Sequence, residues 1–411
     1  MRSVELFAGA GGLALGCQLA GFRSDLVVEW DRWACDTMRE NQAAGHPLVR
    51  DWTVREGDVR AVDWSVVPDG VDLVAGGPPC QPFSMGGKHR AADDSRDMFP
   101  ATAEVIRRLR PRAFLVENVR GLTRTTFANY FAYIQLRLAH PEISSHPEEN
   151  WLEHFSRLQA EHTSARTDLQ YKVVPTLVNA ADYGVPQQRW RVFLVGFRSD
   201  VDAEWSFPEE THSYDALLYQ QFVTTEYWDR HKVAKKDRME LTSRLRGRVE
   251  KLKADGVDGL LGPWRTVRDA LGNMPEPGLN GTRGYLNHVL QPGARSYPGH
   301  TGSYVDLPSK ALKAGGHGVP GGENMLRRPD GSIRYFSVRE SARLQTFPER
   351  YELHGAWGEA MRQLGNAVPV LLAQKVAASV AEHLAIARFR KLTERRESEQ
   401  LPLFEEQVTA S

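Results

Sequence analysis

One arrangement restricts the fold of this chain more than any other. The apolar run Ser3 to Phe7 leads straight into Ala-Gly-Ala-Gly-Gly, a helical stretch follows from Leu13 to Ala20, Gly21 stops it, and SDLVVEWD returns to strand. A strand that feeds a glycine turn and a helix, then a second strand, is a βαβ unit. It needs a parallel neighbour and a crossover packed on one face. The pattern repeats. Asp31 to Asn41 reads as a helix capped by Asp31, Val71 to Gly77 as a buried strand, and Thr102 to Leu109 as a helix. Ala113 to Glu117, Val173 to Ala180 and Arg191 to Phe197 read as further strands. The expected fold class is α/β: a mostly parallel, Rossmann-like sheet with helices on both faces.

After Phe197 the periodicity fades. Residues 199–334 are rich in glycine, proline and charge, yet Trp264, Tyr285, Tyr297 and Tyr304 argue for a folded, loop-rich region rather than disorder. A helical pattern returns with YFSVRESARLQTFP, and Ala367 to Leu384 is expected to form a long amphipathic helix. From Arg388 the polar tail is expected to fray. The expected organisation is a first block at 1–198, a loop-rich domain at 199–334, a return to the first block at 335–388 and a tail at 389–411. His140 to Thr167 reads as an inserted excursion. The basic stretch 229–253 is either a solvated helix with pairs such as Arg246 and Glu250 or a phosphate-facing surface.

The 411 residues are 41% hydrophobic and 25% charged, as expected of a soluble globular protein. No apolar run looks long enough for a bilayer span, and no signal peptide is seen. With three cysteines and no C-x-x-C pair, a disulfide framework is not expected and a cytoplasmic setting is. Cys17 and Cys35, inside helices, read as structural.

Three carboxylates and a thiol fall at strand ends, where open α/β sheets bind ligands. Glu29 ends the second strand about twenty residues after the glycine turn, in place to hold ribose hydroxyls, and Asp58 follows a third strand within reach of an adenine. Without a phosphate-anchoring fingerprint, S-adenosyl-L-methionine is favoured over a nicotinamide cofactor. Cys80 follows the strand VDLVAGG inside GGPPCQPFS, where prolines fix the backbone around the thiol. Only a few per cent of a free thiol is ionised at neutral pH, so a nucleophile here needs a substrate made more electrophilic on binding. Glu117 ends another central strand and points to the same crevice, where an apolar wall would let it keep a proton. Arg189 and Arg191, two apart on an extended segment, could bind a phosphate or a base oxygen, or could simply form surface ion pairs.

The ordered set FAGAGG, EWD, GDV, GGPPCQPFS, ENV, QQRWR, RESARLQTFP and GNAVP resembles the DNA (cytosine-5) methyltransferases of bacterial restriction-modification systems. The resemblance covers roughly residues 3–197 and 337–384. It implies that Cys80 attacks carbon-6 of a flipped-out cytosine in duplex DNA, that Glu117 hydrogen-bonds N3 and the amino group, that Arg191 contacts the base oxygen, and that Arg189 supports the loop. It implies a cofactor site lined by Phe7, Gly9, Gly11, Glu29, Trp30, Asp58, Val59 and Pro79, completed by Asn366 and Val368, with no metal. Residues 199–334 would be a target recognition domain. The segment after Ser84, with Gly86, Gly87, Lys88, His89 and Arg90, would be a closing loop. A monomer is expected, without a membrane partner and with a restriction endonuclease acting separately. Two rivals remain: a tRNA-directed relative, which usually carries a Cys-Phe-Thr signature absent here, and a non-catalytic DNA-binding regulator, which would be expected to lose Cys80 or Glu117.

Overall fold

The computed structural model describes residues 1–79, 97–164, 168–298, 300–314 and 324–408. Cys80 and the segment 85–90 lie outside the described residues. The N-terminal block runs β1 (Arg2–Leu6), α1 (Gly12–Leu19), β2 (Arg23–Glu29), α2 (Arg32–Ala43), β3 (Val54–Glu56), β4 (Leu73–Gly76), α3 (Phe99–Leu109), β5 (Ala113–Val119), α4 (Ala128–Ala139), α5 (Trp151–Ser164), β6 (Tyr171–Asn179), β7 (Gln187–Gln188) and β8 (Trp190–Arg198). Seven of these strands form one sheet in the order β3-β2-β1-β4-β5-β8-β6. The first five pair in parallel, whereas β8 runs antiparallel to both β5 and β6. No crossover helix separates β6 from β8, so the chain simply turns back on itself.

Side-chain alternation along the central strands builds two cores. Val74, Phe114, Val116, Val192 and Leu194 join α3 and α4 on one face. Leu73, Ala75, Ala113, Leu115, Phe193 and Val195 join Leu13 and Cys17 of α1 on the other. A two-residue period that is apolar on both faces means a sheet covered on both sides, as the sequence led us to expect. Cys17 and Cys35 are both buried.

The central region carries β9 (His212–Ser213), α6 (Tyr214–Phe222), α7 (Glu226–Arg230), α8 (Ser243–Asp255), β10 (Gly262–Pro263), α9 (Val267–Leu271), β11 (Ser303–Tyr304), β12 (Ser309–Lys310), β13 (Met325–Arg327) and β14 (Ile333–Tyr335). Leu217, Tyr227, Trp228 and Val233 form a small core of their own. The region is not packed independently throughout. Val267, Val305, Leu312 and Leu326 share a cluster with Ala10, Leu15 and Val27, and β12 pairs in parallel with β7. In the basic stretch, α8 is a surface helix. The expected Arg246–Glu250 pair is replaced by Lys253–Glu250 at 2.8 Å, and Arg248 reaches Asp215 at 2.5 Å.

The chain closes with α10 (Val338–Leu344), α11 (Trp357–Asn366) and α12 (Val370–Val408). Helix α12 differs from expectation in running on as helix through the polar tail, whose Arg, Lys and Glu residues are good helix formers. A second difference concerns hydropathy: Trp357–Glu394 is long and apolar enough to cross a membrane by length and composition. Half of its apolar window is buried, however, while Ile386, Phe389 and Leu392 are exposed. Leu372, Ala373, Val376, Val380 and Leu384 pack into the sheet's core beside Leu13 and Cys17. The inserted excursion is a helical hairpin. Trp151 of α5 packs edge-on to Tyr130 of α4, and His154, fully buried, lies 3.0 Å from the Tyr133 hydroxyl and 2.9 Å from the Ile143 carbonyl.

Candidate active site

The glycine turn after β1 is held by Glu29. Its carboxylate accepts hydrogen bonds from the backbone N–H groups of Gly9 at 2.6 Å, Trp30 at 2.8 Å and Asp31 at 2.7 Å. Burial pushes the Glu29 pKa up, while these donors pull it down. The turn uses positive φ at Phe7 (52°), Gly9 (54°) and Gly11 (87°). A Cβ on Gly9 would meet nothing within 4 Å, so the backbone of the turn is open there. The indole of Trp30 is 70% exposed beside it. On the neighbouring strand end, Gly57 N–H donates to the Glu29 carbonyl at 2.8 Å. Asp58 then caps a short helical turn and pairs with Arg60, while Val59 is buried. The structure therefore gathers Phe7, Gly9, Gly11, Glu29, Trp30, Asp58 and Val59 around one end of the sheet.

The far end of the chain joins this group. A Cβ on Gly12 would lie 2.5 Å from the Val368 carbonyl oxygen, and the Tyr351 hydroxyl donates to Ala10 O at 2.8 Å. Val368 is buried, and Asn366 is exposed at the end of α11.

The second half of the site grows from the end of β5. Glu117 is buried, and Arg191 Nε lies 2.6 Å from its Oε1. The two residues come from adjacent antiparallel strands, where Glu117 stands opposite Phe193 and Arg191 opposite Val119. Arg191 and Glu117 thus form a buried ion pair, with neither side chain more than 12% exposed. Burial is the largest influence on the Glu117 pKa and pushes it up; the guanidiniums of Arg191 and Arg189 oppose this. Next along the strand, Asn118 Nδ2 donates to the Pro78 carbonyl at 3.0 Å, and a Cβ on Gly77 would come within 3.1 Å of Glu117 Oε2. The segment leading to Cys80 is thus fastened beside Glu117 as far as exposed Pro79.

Arg189 is only 1% exposed and its guanidinium faces inward. It donates to Leu312 O at 3.1 Å, Gly365 O at 2.6 Å and Ala367 O at 3.0 Å. This clasp fits the expectation that Arg189 supports a loop, and it leaves Arg191 as the arginine facing Glu117. Sequence reasoning missed Gln187 and Gln345. Both are fully buried: Gln187 Nε2 donates to Gln345 Oε1 at 3.2 Å, and Gln345 donates to the carbonyls of Leu364 and Ala367. Only their place inside the motifs QQRWR and RESARLQTFP could have flagged them. Among the described residues, no group of three or more His, Cys, Asp or Glu side chains is placed to hold a metal ion.

Comparison with known proteins agrees with this geometry. The sequence profile of the family described as C-5 cytosine-specific DNA methylase matches residues 1–140 and 153–382, breaking inside the inserted hairpin. The chain is 31% identical over 396 residues to the Type II methyltransferase M.PspPI of Psychrobacter sp. (strain TA137), covering 93% of this chain and 80% of that protein. It is 30% identical over 387 residues to M.Eco47II of Escherichia coli, covering 93% and 79%. In fold it is similar to the S. pombe Dnmt2 methyltransferase, with a TM-score of 0.53 at 18% identity, covering 93% of this chain and 98% of that one.

Proposed function

The chain belongs to the C-5 cytosine-specific DNA methylase family, and on that premise we propose how it works as a C-5 cytosine DNA methyltransferase of the Type II restriction-modification kind. The observation that carries the reading is the buried Glu117 carboxyl, its pKa pushed up by burial, paired with Arg191 and set beside the segment that leads to Cys80.

Its substrate is a cytosine in duplex DNA. A base inside the stack cannot reach a buried carboxyl, so the target is extruded, which costs a few kcal/mol. Glu117, its pKa raised by burial, holds a proton for the ring N3 and accepts from the exocyclic amino group. Arg191 meets the ring's carbonyl oxygen. The Cys80 thiolate adds to carbon-6, and the electron pair displaced from the C5–C6 bond makes carbon-5 nucleophilic. Glu117 and Arg191 stabilise the negative charge that spreads toward N3 and the oxygen. After methylation, removal of the carbon-5 proton lets the electrons re-form the double bond and expel Cys80 as thiolate.

S-adenosyl-L-methionine supplies an electrophilic methyl group when bound. The backbone at Gly9 is open to such a ligand, since a Cβ there would meet nothing within 4 Å. Glu29 would hold its ribose hydroxyls while fixing the glycine turn. The exposed face of Trp30 and the segment at Asp58 and Val59 would take the adenine. Phe7, Gly11, Pro79, Asn366 and Val368 would complete the wall.

Residues 199–334 are assigned to target recognition, in keeping with their irregular loops and their own small core. A cytoplasmic monomer acting on DNA, without a membrane and with a separate endonuclease, completes the reading.

The test is a mechanism-based trap. Duplex DNA with 5-fluorocytosine at the methylated position, incubated with the protein and S-adenosyl-L-methionine, is expected to give a covalent adduct that peptide mapping assigns to Cys80. The C80A variant should form none while still binding cofactor. An adduct at another residue would overturn the assignment. Bisulfite sequencing of DNA from expressing cells identifies the target sequence first.

A further inference from the structure

A groove of about 610 Å³ is lined by Arg120, Gly121, Thr123, Arg124, Thr125 and Leu177. It begins where β5 ends, since Arg120 directly follows Glu117-Asn118-Val119. The guanidinium of Arg120 sits 5.1 Å from the ring centroid of Trp190, the residue between the clasp Arg189 and the site residue Arg191. Trp190 is 41% exposed, and Val119 and Leu177 next to it are also exposed. Among the described residues, neither Arg120 nor Arg124 has a carboxylate partner.

We propose that this groove is the phosphate cradle for the DNA strand that flanks the extruded cytosine. Arg120 and Arg124 would contact the backbone, and Trp190 would orient Arg120. The inference rests on the DNA-methylating reading and adds a site to it. Two guanidiniums lining one groove, without a carboxylate partner among the described residues, match a polyanion, and the stacked indole holds one of them at reduced entropic cost. The hydroxyl of Thr125 could donate to a phosphate oxygen as well, whereas that of Thr123 already donates to the Arg120 carbonyl at 3.0 Å. Arg120 follows Glu117 by three residues, so a phosphate held there would lie within a short span of chain from the Glu117 pocket.

The experiment measures duplex affinity of the full-length protein against salt, from 50 to 300 mM, by fluorescence anisotropy. It compares wild type, R120Q, R124Q, R124K and W190L, with circular dichroism as the folding control. Each Arg→Gln change should lower the slope of log K against log salt by about 0.9 and weaken binding about fivefold near 0.15 M salt. The loss should be alike for target and non-target duplexes, and in turnover it should fall mainly on the KM for DNA. R124K should retain the slope, and W190L should act in the direction of R120Q. Unchanged slopes in both Gln variants would overturn the proposal, as would a loss confined to one sequence, which would make the groove a base reader. A wild type that methylates DNA normally while the variants keep its slope sinks this inference alone. A wild type that transfers no methyl group to any DNA sinks the reading beneath it.

Discussion

Gly16 faces Ala373 so closely that a Cβ on Gly16 would overlap the Ala373 methyl group and the backbone behind it. This is the contact point of α1, the first helix, with α12, the last. Gly16→Ala is therefore expected to force the helices apart and destabilise the protein by about 1–3 kcal/mol, the usual cost of overpacking. Adding Ala373→Gly should recover part of that loss. Urea denaturation of the two single variants and the double variant measures the coupling; purely additive effects would disprove the contact.

Glu117→Gln removes the ionisable proton from the pocket while keeping its size. Methyl transfer is expected to fall by roughly 10²–10⁴-fold, the range for loss of a positioned general acid. Covalent trapping by 5-fluorocytosine DNA should slow in parallel, because stabilisation of the ring is needed before Cys80 adds. Full trapping with slow turnover would restrict Glu117 to a later step.

Arg189→Ala would leave the carbonyls of Leu312, Gly365 and Ala367 without their donor. Stability is expected to drop by about 3–5 kcal/mol, as for other broken buried polar networks. Arg191→Ala leaves the buried Glu117 carboxyl without its ion-pair partner and is expected to lower both activity and stability, whereas Arg191→Ala combined with Glu117→Gln should recover stability but not activity. Thermal melts beside methyl-transfer rates measure both, and a double variant no more stable than Arg191→Ala would show that the stranded carboxyl is not the cause.

Glu5 gives a pH dependence unrelated to catalysis. It is fully buried in β1, and burial pushes its carboxyl up to about 7 from an ordinary 4.5. The folded protein keeps a proton that the unfolded chain releases, so this contribution is complete below about pH 4.5 and is lost as pH rises through 7. Glu5→Gln stays neutral throughout. Relative to wild type it should gain about 3 kcal/mol between pH 5 and pH 8, in chemical denaturation at both ends. Parallel stability–pH curves would show that Glu5 is ionised in the fold.

Replacing residues 199–334 with the matching segment of another family member is expected to change the methylated sequence and leave cytosine-5 chemistry intact. Bisulfite sequencing reads both, and an unchanged target would place recognition elsewhere.

Much of this could be read from local pattern. The glycine turn, the carboxylates at strand ends and the cap at Asp31 each depend on a few neighbouring residues, and the Asp31 side chain indeed accepts from Ala34 N–H. What escaped was set by distant partners. Nothing near Gln345 in sequence reveals that it meets Gln187, and nothing near Arg189 shows which carbonyls it binds. The orientation of β8 escaped because an apolar run has no direction until its neighbours are known. The pairing of β12 with β7 escaped because two residues carry no period at all. The Glu117 carboxyl was legible as a residue type at a strand end; its pairing with Arg191 was not, since that depends on β8 running antiparallel beside β5.

The meeting of α1 with α12 has a consequence for synthesis. A ribosome makes the glycine turn first and the helix that braces it last. Until residues near Leu384 have left the exit tunnel, Gly12 and Gly16 have nothing to pack against, and the nascent chain has its first motif without its final wall. The glycine turn therefore gains its final wall only once α12 has been made.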